Sequence, residues 1–121
     1  MPRVMHFEIP SDAPESAMNF YGDVFGWTFE QFGGGEYWLC KTGDDSEQGI
    51  NGGLMKRHAP GQPVVNSIEV DSVDAFSEKI TAAGGEIVVP KMPIGTIGFV
   101  AYFKDLDGNI FGIAELTNPP G

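Results

Sequence analysis

Shifted against itself by 59 residues, the chain repeats its own punctuation, and a duplication of this kind constrains the fold more than any single motif. The shift takes Ile9 to Ile68, Asp12 to Asp71 and Glu15 to Asp74. It also takes Ala17 to Phe76, Tyr21 to Ile80, Gly26 to Gly85 and Gly53 to Gly112. Strand residue, helix start, helix stripe, helix-ending glycine and final-strand glycine all coincide. The chain therefore reads as one domain over residues 1–121, built from two modules, 1–57 and 62–117, with His58, Pro60 and Gly61 in the linker.

Local patterns give each half the same order of elements. The β-branched and aromatic run Val4–Pro10 predicts a strand. Asp12 then stands as an N-cap with Glu15 three residues on, a capping-box spacing, and Ala17, Phe20, Tyr21 and Val24 form an apolar stripe ending near Gly26. Strands are expected over 27–32, 37–41 and 50–56. In the second half, 64–70 is a strand and Asp71-Ser72 a cap. Val73, Phe76, Ile80 and Ala83 make the helix stripe, Gly84-Gly85 its end, and strands follow over 86–89, 98–104 and 110–116. Each half reads β-α-β-β-β.

Composition excludes several functions. Seven Lys+Arg against seventeen Asp+Glu give a formal charge of −10. That charge repels phosphate backbones and anionic lipid, so neither nucleic acid nor a membrane is an expected partner. With Cys40 the only cysteine, no intrachain disulfide and no Cys-x-x-Cys site is possible. The N-terminus carries no long apolar stretch, and the longest apolar run, 97–103, is too short to span a bilayer. A cytoplasmic protein is expected.

Specific stretches point to a family. His6-Phe7-Glu8-Ile9-Pro10, Asn19-Phe20-Tyr21 and Phe25-Gly26-Trp27 resemble the start of the vicinal oxygen chelate superfamily, which holds glyoxalase I, bleomycin-resistance proteins and extradiol dioxygenases. The second half agrees through Val70-Asp71-Ser72-Val73-Asp74-Ala75, Ala83-Gly84-Gly85 and Asp105-Leu106-Asp107-Gly108-Asn109, and Asn109-Ile110-Phe111-Gly112 is closest to the glyoxalase-like branch. The resemblance implies an α+β fold: two βαβββ modules forming a curled, cup-shaped mixed sheet with helices outside and a ligand cavity inside.

It also implies a divalent metal held by the first and last strand of each module. Carried over, the four positions are His6, Gly53, Val65 and Gly112. Only His6 has a side-chain donor, and one imidazole does not hold a divalent ion in water. The position of the glyoxalase general base is among those vacated. No cofactor is expected; a divalent metal is the disfavoured alternative, as is a standard metal-dependent isomerase.

Alternation places Glu8 on the face of His6, and Ser67 and Glu69 on the face of Val65. If that face lines the cup, His6, Glu8 and Glu69 form a polar cluster; otherwise they are solvated rim residues. Trp38, Met55 and Tyr102 complete the cavity candidates, and Tyr37 and Phe99 supply further aromatic surface whose facing the sequence leaves open. Cys40 reads as a buried thiol and His58 as a surface residue of the linker. Glycine-rich 33–35 opens no helix and 95–98 runs into a strand, so neither cradles a phosphate. Two functions stand: a metal-independent small-molecule binder, and a lyase, epimerase or isomerase of the superfamily using His6 with Glu8 or Glu69 as an acid–base pair or a metal held in an unusual way. A homodimer is expected.

Overall fold

The computed structural model describes residues 2–117. Eight strands and two helices follow in the order β1 (Arg3–Ser11), α1 (Pro14–Phe25), β2 (Thr28–Gln31), β3 (Tyr37–Lys41), β4 (Gly52–Lys56), β5 (Val65–Glu69), α2 (Val73–Ala82), β6 (Glu86–Ile94), β7 (Gly98–Lys104) and β8 (Ile110–Leu116). They divide between two compact units. The first is His6–Val64; the second holds residues 65–117 with the opening residues 2–5.

Each unit has the same topology, which is the internal repeat in three dimensions. Strand order is β2-β3-β4-β1 in the first unit and β6-β7-β8-β5 in the second. In both, the first strand runs parallel to the last, and the other pairings are antiparallel. Register agrees as well: Glu8 faces Gly53 and Ile9 faces Leu54, while Ser67 faces Gly112 and Ile68 faces Ile113. A shift of 59 residues converts the first pair of partners into the second. The architecture is α+β with two βαβββ units, as the sequence predicts.

Helix α1 begins differently from the prediction. Its N-cap is Ala13, with no side-chain cap, and Pro14 holds the first helical position. Proline has no N–H to satisfy and its fixed φ suits that turn, so the start moves one residue past the Asp12–Glu15 frame. Asp12 instead pairs with Arg57 at 3.1 Å, and Ser11 Oγ accepts the Ala13 N–H. The stripe is also rotated. Tyr21 stacks on Trp27 at 5.2 Å and Ala17 is half-buried, but Phe20 and Val24 are 57% and 56% exposed. The packed face runs through Ala17, Met18, Tyr21 and Gly22.

The second unit keeps closer to its sequence pattern. Ser72, rather than Asp71, caps α2 by accepting the Ala75 N–H. Val73, Val70, Ala101 and Ile113 form its core, with Phe76 and Ile80 packed against them. Each such burial contributes about 1.5–3 kcal/mol for a full-sized aliphatic side chain. Strand β6 runs five residues beyond the expected 86–89, through Pro90 and Pro93. It is the outermost strand of its unit, where a missing N–H breaks no interior ladder. Among the described residues no helix is long and apolar enough to cross a membrane.

Candidate functional site

Pairing in the first unit sorts its side chains onto two faces. Glu8 is opposite Gly53, Gly53 opposite Leu39, and Met55 opposite Tyr37. With the period-two alternation of strands, His6, Glu8, Gly53, Met55, Leu39 and Tyr37 share one face. Phe7, Gly52, Leu54, Trp38 and Cys40 share the other, which packs toward α1 through the Phe7–Trp27 contact at 5.8 Å.

Two successive glycines in β4 let aromatic rings close over the strand from opposite sides. A Cβ at Gly52 would stand 2.5 Å from the Phe7 ring, and one at Gly53 would stand 2.1 Å from the Tyr37 hydroxyl. Neither contact is physically attainable, so both positions require glycine while those rings stay in place. Tyr37 thereby reaches across β4 to β1.

There its hydroxyl joins two sequence candidates into a chain. Tyr37 Oη donates to Glu8 Oε2 at 2.8 Å and lies 2.8 Å from His6 Nε2. A hydroxyl has one proton, so while it donates to the carboxylate it accepts from the Nε2–H of His6. Burial holds the imidazole below its ordinary pKa, with the Glu8 charge opposing that shift. The ring is accordingly neutral near pH 7, and its Nδ1 carries a lone pair.

The four positions that the resemblance assigns to a metal do not fit one. In the first unit the space beside Gly53 is filled by the Tyr37 ring. In the second unit a Cβ at Gly112 would meet Ser67 Oγ at 2.8 Å and the Tyr102 ring at 3.2 Å. Val65, 8% exposed, offers no donor. Among the described residues, no three His, Cys, Asp or Glu side chains gather as an ion would need.

The remaining candidates fall as follows. Met55 is buried on the His6 face, opposite Tyr37. Trp38, next to Tyr37 in β3, lies on the helix-side face with Cys40 and not beside His6. Ser67 is buried at 3% exposure against Gly112, Tyr102 is half-buried opposite the same glycine, and Glu69 is exposed at the end of β5. Asp105, in the turn after β7, accepts hydrogen bonds from Asp107 N–H and from Asn109, which lower its pKa; this is a self-contained turn.

An open depression of about 470 Å³ crosses the four strands of the first unit beside His6. Of the cavity candidates only His6 lines it; Thr28, Glu30, Leu39, Lys41, Asp45 and Asn51 are among its other walls, and Cys40 and Gly52 reach it from the helix-side face. These were missed because strand order, which sets them beside β1, is not written in local patterns. Tyr37 stood in the sequence only as aromatic surface of open facing, for a subtler reason. The signal was there: a glycine pair in the last strand marks a close approach, and an aromatic residue must fill the gap.

Two βαβββ units, each with parallel first and last strands, define the class of vicinal-oxygen-chelate folds. The chain belongs to the Glyoxalase/Bleomycin resistance protein/Dioxygenase superfamily, whose sequence pattern matches residues 3–113. CFP32 of Mycobacterium tuberculosis, which carries the name of a glyoxylase, is 33% identical over 113 residues, covering 89% of this chain and 42% of that protein. The anthracycline biosynthesis protein DnrV of Streptomyces peucetius is 25% identical over 138 residues, covering 95% and 50%. The chain thus spans about half the length of the curated relatives it matches. Among solved structures, Bacillus halodurans BH1468 aligns with a TM-score of 0.70 at 12% identity, covering 99% of this chain and 98% of that one. A Streptomyces coelicolor methylmalonyl-CoA epimerase variant aligns at 0.68 and 17%, covering 98% of each. These two likenesses establish the fold.

Proposed function

We propose that this chain binds a small molecule on the His6 face of its first unit and does so without the divalent metal of its superfamily. The observation that carries the reading is the Tyr37 ring seated on Gly53, in the space a metal-binding side chain would occupy. A depression with the partly exposed Leu39 and a few polar groups supplies what binding needs. The charge of −10, with Glu8 and Glu30 on this face, favours a cationic or amphipathic aromatic ligand. An anthracycline, a polycyclic aromatic carrying hydroxyls and a basic amine, has that character, and one relative is named for its biosynthesis.

The test begins with the metal content of protein purified without chelator or affinity tag. Substoichiometric Ni, Zn, Mn and Fe, with daunorubicin shifting amide resonances around His6, Leu39 and Lys41, supports the reading. Stoichiometric metal overturns it. A second reading, a lyase or isomerase working by acid–base chemistry, draws on the His6–Tyr37–Glu8 chain. It requires turnover that His6→Ala abolishes; retained ligand affinity in that variant, without turnover in the parent, removes it.

The protein acts as a cytoplasmic homodimer in this reading. Phe20, Val24 and Phe25, each more than half exposed on α1, give a second copy an apolar surface to cover. Light scattering then returns twice the 13.0 kDa chain mass.

A further inference from the structure

The depression beside His6 has walls of both chemical kinds, and its one ring nitrogen with acceptor capacity is fixed by groups behind it. Tyr37 and Glu8 do not line the depression; His6 does. The direction of the hydrogen-bond chain follows from what each group can do. A carboxylate only accepts, so Tyr37 donates to Glu8; its oxygen then accepts, so His6 must present Nε2–H. Among the described residues no hydrogen bond engages Nδ1. Had Tyr37 been phenylalanine, the hydrogen bond that fixes the tautomer would be gone, and the imidazole could offer the depression either a donor or an acceptor.

Around this nitrogen the depression is amphipathic. Leu39 is 37% exposed on the same face and gives an apolar floor. Asn51 Oδ1 accepts the Thr42 N–H, which ties that oxygen to the loop. Thr28, Glu30, Lys41 and Asp45 bring further polar groups to the same walls, and the acceptor at His6 is the one whose proton position is fixed by a neighbouring hydroxyl.

We propose that Tyr37 is a positioning residue that locks His6 as a hydrogen-bond acceptor, so that the depression selects small hydroxyaromatic molecules and rejects their O-methyl counterparts. The inference rests on the binding function proposed above and specifies the ligand class. A site built to accept a hydrogen bond discriminates against an analogue that cannot donate one, because the acceptor is then buried without a partner. A preference of roughly ten-fold or more is expected.

The experiment uses the full chain labelled with ¹⁵N and two neutral probes, phenol and anisole, which share a ring and differ in the donor. Long-range ¹H–¹⁵N correlation first reads the tautomer of His6, with His58 in the same spectrum as an exposed comparison. Protonated Nε2 and bare Nδ1 are expected; a protonated Nδ1 overturns the proposal whatever binds. Phenol is then expected to move the His6 Nδ1 resonance and to bind about ten-fold or more tighter than anisole. Tyr37→Phe, which keeps the ring over Gly53, is expected to give a mixed tautomer and to erase the preference. Equal binding of the two probes to the parent, or an undiminished preference in Tyr37→Phe, refutes donor selection while leaving small-molecule binding in place. If neither phenol, anisole nor daunorubicin disturbs this face, both the ligand class and the binding function fall together.

Discussion

Substituting Gly53 by alanine tests the structural logic of the site with a single methyl group. Its Cβ would lie 2.1 Å from Tyr37 Oη, 2.4 Å from Cζ and 2.6 Å from Cε1, against an ordinary contact of 3.4 Å or more. The ring end must retreat by about 1.3 Å, and its hydroxyl is held at 2.8 Å by both His6 and Glu8. A shift of that size takes at least one of these bonds out of reach. Losing a hydrogen bond to a charged group costs about 1.5–3 kcal/mol, and overpacking adds about 1–3 kcal/mol. Replacing a strand glycine returns about 0.5–1 kcal/mol. The net loss is about 1.5–5.5 kcal/mol, which lowers the urea midpoint by roughly 1–3 M at the slope of about 2 kcal/mol per M usual for small domains. The assay is a double-mutant cycle by urea denaturation with Tyr37→Leu, whose side chain does not reach the clashing position. In that background Gly53→Ala is expected to be neutral or slightly stabilising, giving a coupling of about 2.5–6 kcal/mol. Additive losses in the two backgrounds would show that the tyrosine ring is not what demands glycine at 53.

Three further outcomes are expected. Cys40 is 1% exposed and its thiol is pushed up to about 11, so a disulfide reagent at pH 8 labels it only after denaturation; rapid labelling of native protein contradicts its burial. Arg57 donates to the Pro10 and Gln62 carbonyls as well as to Asp12, and Arg57→Ala is expected to cost about 1–2 kcal/mol in urea denaturation. Asp12→Ala, which removes only the exposed partner, should cost about 0–1 kcal/mol, and equal losses would assign the effect to the ion pair instead. Because burial depresses the His6 pKa, the unfolded chain binds more protons as pH falls below the ordinary value of 6.5. Stability from this residue is thus full above 6.5 and is lost as pH drops toward the folded pKa; His6→Gln, which keeps an N–H for Tyr37, should show a flatter urea-midpoint profile between pH 7.5 and 5.

Much of this architecture was legible because duplication and local punctuation are written in the chain. The 59-residue shift anticipated the two repeated units, and the observed registers, Glu8 with Gly53 and Ser67 with Gly112, obey it. What failed were competitions between local rules. Asp12 and Glu15 have the spacing of a capping box, yet Pro14 sets the helix start one residue later and Arg57 draws Asp12 away. Phe20 and Val24 have the spacing of a packed stripe, yet the helix turns Met18 and Gly22 inward instead. The site was half legible. His6 and Glu8 follow from alternation along one strand, but Tyr37 arrives from a strand two places away, and choosing it over Trp38 requires the facing of β3. That facing is a property of pairing between distant segments.

The tyrosine seated on glycine also fixes the order in which substitutions can accumulate at this site. A carboxylate entering at 53 alone collides with the ring, and shrinking residue 37 alone leaves His6 and Glu8 without the hydroxyl that joins them. Each single step loses something before the second can restore it. A library meant to install a metal on this scaffold must therefore vary positions 37 and 53 together, since a search that changes one residue at a time is turned back at the first move.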